Sequence, residues 1–109
     1  MAQSYKNLSQ TNPSAATLTD SYTVPASTSA VVSSIVVCNR SATATSFRIS
    51  HALAGAADNN KQYIYYDVSI AGNDTFVFTG GLDMATTDVL RVYATLATLS
   101  FSIYGVEIT

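Results

Sequence analysis

SAVVSSIVVCNR, residues Ser29–Arg40, is the stretch of this 109-residue chain that decides its fold. Val, Ile and Cys fill six of its positions, and no charged residue occurs before Arg40. Pro25 precedes the stretch and a polar run at 39–43 follows it. A short apolar run that is rich in β-branched residues and bounded by turn residues is typical of a strand buried on both faces. We therefore predict that Ser29–Arg40 forms the central strand of an all-β domain.

Seven other segments have the length and the composition of strands, and turn residues separate them. They are Lys6–Gln10, Thr17–Val24, Phe47–Leu53, Gln62–Ile70, Thr75–Thr79, Val89–Tyr93 and Ala97–Ile108. No stretch has the periodicity of an amphipathic helix. The pattern predicts an antiparallel β-sandwich of about eight strands. A jelly-roll-like topology and an immunoglobulin-like topology both fit, because periodicity alone does not fix the order of the strands.

The segment Gln62–Ile70 alternates without interruption, so its side chains are predicted to divide between two faces. One face has Ile64, Tyr66, Val68 and Ile70, and the other has Tyr63, Tyr65, Asp67 and Ser69. In the last strand the apolar positions change face at Tyr104 and Gly105, which predicts a β-bulge there. Residues 54–61 are predicted to be an exposed loop, and residues 80–87 an irregular connection.

The chain is predicted to be a single domain, residues 13–109, preceded by residues 1–12. Pro13 separates this polar segment from the sandwich, and Tyr5 and Leu8 are its large apolar residues. It is predicted to be either an N-terminal arm that contacts a neighbouring subunit through Tyr5 and Leu8 or an edge strand of its own domain.

The chain has few charges for a folded domain. Charged residues make up 11% of the sequence and the net charge is −2, whereas about 25% is usual. A surface with so few charges suits a subunit that neighbouring subunits cover. The five basic residues are scattered along the chain, which argues against a phosphate-binding surface for nucleic acid. No apolar run is long enough to span a membrane, and no secretory signal is recognisable.

Candidate catalytic and metal-binding residues are few. His51 is the only histidine and Cys38 the only cysteine. We predict that His51 is packed or hydrogen-bonded between subunits and that Cys38 is an inert buried thiol, rather than a catalytic centre. Asp58–Asn60 and Asn73–Asp74 carry oxygen ligands for calcium, but their spacing is typical of turns. We predict no enzyme activity, no cofactor and no metal site.

Tyrosines are the remaining candidates for a binding surface. Those considered are Tyr22, Tyr63, Tyr65, Tyr66, Tyr93 and Tyr104. They could stack against a sugar, but core packing or a subunit interface is favoured because the chain has no Trp and a small core to fill. Tyr63 and Tyr65 are the predicted contact residues of this group.

Several short segments resemble a family of small tailed-bacteriophage proteins of about 110 residues, described as virion or tail-associated structural proteins. The segments are Tyr22–Ala26, Ser29–Ser33, Val37–Arg40, Phe47–Arg48, Tyr63–Asp67, Asn73–Thr75, Thr87–Val89, Val92–Ala94, Leu99–Phe101 and Glu107–Thr109. They are distributed, in register, over nearly the whole chain. The chain departs from the family pattern at Ser21 and at Tyr104–Val106.

The resemblance implies a non-enzymatic structural protein of the virion, synthesised in the cytoplasm of the host bacterium. A component of the tail, baseplate or tail fibre is the leading expectation, and a capsid decoration protein is the alternative. The expected partners are copies of itself, as a homotrimer, and other virion proteins. A host-glycan-binding module is a second alternative of a different class.

Overall fold

Two four-stranded antiparallel sheets pack face to face in the computed structural model, which describes residues 2–109. The strands in this range are β1 (Gln3–Thr11), β2 (Thr19–Thr23), β3 (Ser29–Asn39), β4 (Thr45–Ala52), β5 (Tyr63–Ile70), β6 (Thr75–Met84), β7 (Val89–Ala94) and β8 (Leu99–Ile108). Two short 3-10 turns, Leu53–Gly55 and Asn60–Gln62, lie in the predicted loop between β4 and β5. The predicted eight-stranded sandwich is confirmed.

The order of the strands is that of a jelly roll. Sheet I has the order β1-β8-β3-β6 and sheet II the order β2-β7-β4-β5. The strands therefore pair β1 with β8, β2 with β7, β3 with β6 and β4 with β5. This is the pairing of one long hairpin that has been rolled into two sheets. The immunoglobulin-like alternative is wrong, because that fold divides its strands differently between the sheets.

β3 lies inside sheet I between β8 and β6, as expected of a central strand. Its inward side chains, which include Ile35 and Val37, are completely buried. Its outward side chains, which include Val31 and Val36, are only half-buried. The prediction that this strand is buried on both faces is therefore wrong for the isolated chain, because residues 2–109 form no layer over the outer face of sheet I.

The predicted irregular connection after β6 is also wrong. β6 continues through Gly80 and Gly81 to Met84. The two glycines and Ser33 form a register shift between β6 and β3, because Val32 pairs with Leu82 and Ser34 with Thr79. Gly80 and Gly81 were expected to end the strand, but they lie inside β6 at a bulge-like register shift.

The bulge predicted at Tyr104 and Gly105 lies in the neighbouring strands instead. Along β8 the alternation continues, and Gly105 takes an inward, buried position. The extra residues are Leu8 in β1 and Ser33 in β3, on either side of β8. A Cβ atom at Gly105 would lie 3.1 Å from Leu8 Cδ1 and would overlap the carbonyl oxygen of Val31. Leu8 thus packs over the space that the missing side chain of Gly105 leaves open.

Continued alternation in β8 directs Glu107 inward at one end of the sandwich. The Tyr22 hydroxyl donates a hydrogen bond of 2.5 Å to Glu107 Oε2, and Lys6 Nζ lies 2.6 Å from Glu107 Oε1. The hydrogen bonds from Lys6 and Tyr22 lower the pKa of the Glu107 carboxyl. Burial, together with the nearby carboxylate, raises the pKa of Tyr22. These three residues tie β1, β2 and β8 together.

The N-terminal segment pairs within its own chain. β1 forms an antiparallel ladder with β8 from Gln3 to Thr11. Of the two alternatives for residues 1–12, the structure has the edge strand for the residues it describes. Met1 lies outside the described residues.

Candidate functional site

A bulge in β5 brings two consecutive side chains to the outer face of sheet II. Phe47 pairs with Val68 and Ile49 pairs with Tyr65, so that Tyr66 and Asp67 both lie opposite Arg48. Asp67 has a φ of 52°, a left-handed conformation that costs most residues about 1–2 kcal/mol but that Asp tolerates better. The bulge therefore supplies an aromatic ring and a carboxylate to the same arginine.

Arg48 is held between two aromatic rings. Its guanidinium carbon lies 4.2 Å from the centre of the Tyr66 ring and 4.3 Å from that of Tyr93. Arg48 Nε donates a hydrogen bond of 2.7 Å to Asp67 Oδ1. This hydrogen bond raises the pKa of the guanidinium, and the carboxylate neutralises its charge. Cation–π contacts on both faces fix the positions of the two rings.

Tyr63 and Asn60 extend this cluster into a shallow cavity. The ring of Tyr63 meets that of Tyr66 at right angles, with 5.0 Å between their centres. A cavity of about 490 Å³ is lined by Asn60, Tyr63 and Tyr66. Burial, and then a hydrogen bond with the Asp58 carboxylate, raises the pKa of Tyr63. We call this cavity, with Arg48 and Asp58 beside it, the tyrosine site.

The predicted group of tyrosines is divided by the fold. Tyr63 lies in the tyrosine site, whereas Tyr65 packs toward the core against Phe76, with ring centres 5.2 Å apart. The predicted role of Tyr65 as a contact residue stays a prediction, and the side chain is half-buried. A second register shift separates the two tyrosines, because Ile49 pairs with Tyr65 and Ser50 with Tyr63. Ile64 is the extra residue between them, so Tyr63 and Tyr65 lie on opposite faces of the sheet. Tyr22 is buried in the core, and Tyr104 lies on sheet I.

Arg48, Asp67 and Asn60 were not expected at a site. No signal in the sequence pointed to the bulge, because the segment Gln62–Ile70 alternates without interruption. The partners of Arg48 could not be found from sequence either, because β5 and β7 contribute them from separate parts of the chain.

A second candidate surface is the outer face of sheet I. Cross-strand pairs place Tyr5, Val106 and Val31 in one row across β1, β8 and β3. A parallel row consists of Gln10, Ser102, Val36 and Val77. Among the strand positions that the structure describes on this face, Asp83 is the charged residue. The face is thus broad, weakly polar and nearly free of charge.

The two predicted contact residues of β1 differ in their surroundings. Tyr5 is 79% exposed on the outer face of sheet I. The predicted role of Leu8 in contacting another subunit stays a prediction, although Leu8 packs against the core of its own chain. The cause of this packing is the bulge at Leu8, which directs this side chain over Gly105 rather than outward.

His51 is paired with Asp88. Its Nε2 lies 2.9 Å from Asp88 Oδ2, and it must carry the hydrogen because a carboxylate only accepts. Asp88 also accepts hydrogen bonds from the backbone amides of Ala54 and Ala85, at 2.9 and 3.1 Å. In the described range, no hydroxyl group is hydrogen-bonded to the His51 ring. The pair joins the two loops at this end of the sandwich.

Asp88 is expected to make the fold sensitive to acid. Burial alone would raise the pKa of its carboxyl, but the hydrogen bonds from Ala54, His51 and Ala85 outweigh burial and lower it. The ionised carboxylate therefore stabilises the fold above its unfolded pKa of about 3.9, and this contribution is lost as the pH falls through the lower folded pKa. Asp88→Asn should lower the free energy of unfolding by about 1.5 kcal/mol at neutral pH.

Urea unfolding of both proteins at a series of pH values measures this effect. The difference between wild type and Asp88→Asn should shrink below about pH 4. Asp74→Asn, a change in an exposed turn, is the control and should alter stability little at any pH. A difference for Asp88→Asn that stays constant down to pH 2 would contradict the assigned role.

The two calcium candidates are turns in the structure. Asn59 caps the turn Asn60–Gln62, with its Oδ1 accepting from the Lys61 amide at 3.2 Å. Asp74 Oδ1 accepts from the amide of Thr75 at 2.8 Å. Over residues 2–109 no group of three or more metal-binding side chains occurs. Cys38 is half-buried on the outer face of sheet I rather than fully buried as predicted, opposite Ser100 and Thr75.

Comparisons with known proteins add no relatives. Neither protein-family models, nor curated proteins, nor solved structures give a significant match to the chain. In the part of the chain that the structure describes, no helix has the length and apolar character needed to cross a bilayer.

Proposed function

We propose that this protein is a non-enzymatic structural component of a tailed-bacteriophage virion, associated with the tail, baseplate or tail fibre, and that it self-associates as a homotrimer. The observation that carries the proposal is the nearly uncharged outer face of sheet I. A sheet face with so few charges is suited to cover by another protein surface, such as that of a neighbouring copy in a homotrimer.

The outward positions of β3 support this interface. In an antiparallel sheet with one solvated face, outward positions are usually polar. Here Val31 and Val36 stand outward, with Val106 and Val77 in the adjacent strands. Val77 is 53% exposed in the single chain. These side chains would lose contact with water if a copy of the chain covered sheet I.

The dimensions of the face are sufficient for a subunit contact. Four strands about 4.8 Å apart and about ten residues long, at about 3.3 Å per residue, span on the order of 600 Å². Stable protein interfaces bury about 800 Å² on each partner. The face alone therefore approaches the size of a specific contact, and the projecting rings of Tyr5 and Tyr104 add to its area.

Assignment to a virion rests on the resemblance of the quoted segments and is compatible with the fold. Double-sheet jelly rolls are frequent in viral capsid proteins and also occur in lectins and cupins, so the fold alone does not decide the function. A capsid decoration protein remains the alternative placement. Electron microscopy of virions carrying a labelled copy of the protein distinguishes tail from capsid, and absence of the protein from purified virions would refute both.

The self-association is tested by introducing a charge into the face. Light scattering of the wild type should give a mass about three times the 11.5 kDa of the chain. Val77→Lys should dissociate the oligomer while the monomer stays folded, because a lysine that the contact covers loses its hydration. Ile64→Lys, the same change at an exposed position of sheet II, is the control and should leave the oligomer intact.

A wild-type protein that is monomeric at micromolar concentration would refute self-association. An oligomer that survives Val77→Lys but dissociates in Ile64→Lys would place the contact on sheet II instead.

A further inference from the structure

From the geometry of the tyrosine site we infer that it binds a neutral saccharide. This inference concerns the outer face of sheet II and does not depend on the virion assignment or on the oligomeric state. It rests on three features of the site: rings whose positions are fixed, a cavity of suitable size, and hydrogen-bonding groups without a net positive charge.

The aromatic surface is preorganised. Tyr66 is 56% exposed, although Arg48 stacks on it at 4.2 Å and Tyr63 meets it at right angles. These contacts hold the ring in place before any ligand binds, so binding costs little side-chain entropy. The negative face of an aromatic ring attracts the polarised C–H groups that line one side of a pyranose ring.

Polar groups stand at the border of the same cavity. The Asn60 amide lines the cavity and offers two donors and an acceptor. The Asp58 carboxylate lies beside Tyr63, which also lines the cavity. A cavity of about 490 Å³ falls within the range of sites for small ligands, about 300–1,000 Å³. A sugar combines an apolar C–H face with hydroxyl groups that both donate and accept, which is the combination that this cavity offers.

The charges of the site favour a neutral ligand over an acidic one. Asp67 neutralises Arg48, with 2.7 Å between Oδ1 and Nε, and Asp58 adds a negative charge beside Tyr63. Phosphates, nucleic acids and acidic sugars would gain nothing from a neutralised arginine and would be repelled by Asp58. Proline-rich peptides also dock on aromatic side chains, but they have few N–H donors to satisfy a carboxylate.

The experiment uses the full chain and a glycan array that carries neutral and acidic oligosaccharides. A proline decapeptide is included as a competing ligand. The strongest neutral oligosaccharide is then titrated into ¹⁵N-labelled protein. The expected result is selective binding of neutral glycans, with chemical-shift changes at Asn60, Tyr63 and Tyr66. Tyr66→Ala should weaken binding about tenfold, as the loss of one aromatic contact predicts.

Two variants separate binding from folding. Tyr66→Phe removes the hydroxyl but keeps the aromatic ring, and it should retain binding. Retained binding would show that the ring, and not the hydroxyl, makes the contact with the sugar. Tyr5→Ala removes a more exposed tyrosine from sheet I and should bind as the wild type does. The inference is overturned if no neutral glycan binds, if the decapeptide or acidic glycans bind instead, or if Tyr66→Ala and Tyr5→Ala weaken binding equally.

Discussion

Ile35→Ala is expected to lower the free energy of unfolding by about 2–5 kcal/mol, which is a large part of the roughly 5–15 kcal/mol available to a domain of this size. Ile35 has no exposed surface. It lies on β3 in the middle of sheet I, paired with Phe78 on one side and Ile103 on the other. Truncation would leave a cavity that both sheets border, and strands paired on each side have little freedom to close it.

The matched control is the next residue in the same strand. Val36→Ala removes a half-buried side chain from the outer face of sheet I and should cost less than about 1 kcal/mol in the monomer. Urea or thermal unfolding measures the stability of both variants relative to the wild type. A Tm for Ile35→Ala within about a degree of the wild type would mean that the core is misplaced.

Gly105→Ala is the second change with a large expected effect, a loss of about 3 kcal/mol. A methyl group at this position would overlap the carbonyl oxygen of Val31 and press on Leu8. The carbonyl belongs to the paired backbone of β3, so it cannot move away as the end of a flexible side chain could. The register between β3 and β8 would have to change, which would disturb the centre of sheet I.

Gly81→Ala provides the control for this prediction. Its added Cβ would lie 3.8 Å from the nearest atom, Val31 Cγ1, an ordinary contact distance. Gly81 is also in sheet I, so a general intolerance of β-strand glycines to substitution would affect both variants. In chemical denaturation, the free energy of unfolding should fall strongly for Gly105→Ala and hardly at all for Gly81→Ala. An equal decrease in both variants would contradict the steric explanation.

The two proposed surfaces lie on opposite sheets. Self-association is assigned to the outer face of sheet I and saccharide binding to the outer face of sheet II. Because the core separates them, one surface can be covered while the other stays accessible. Val77→Lys and Tyr66→Ala should therefore act independently: the first on the oligomer and the second on binding.

Local sequence patterns determined the fold class and most strand positions. A strand needs only alternation or an apolar run of a few residues with turn residues at its ends, and both are visible in the chain itself. β3 and β5 begin and end within about one residue of their predicted limits. The predicted sandwich followed from these segments, since amphipathic strands must bury one face against another layer.

Contacts between distant segments decided the topology of the sandwich and the composition of the candidate sites. The order of the strands, the inward position of Leu8 over Gly105 and the two tyrosines around Arg48 each depend on which strands pair and in which register. An extra residue in one strand moves the later side chains to the other face, and its effect appears only against the partner strand. Composition could thus predict tyrosines at a surface, but only the tertiary structure packed Tyr65 against the core and placed Tyr66 beside the cavity.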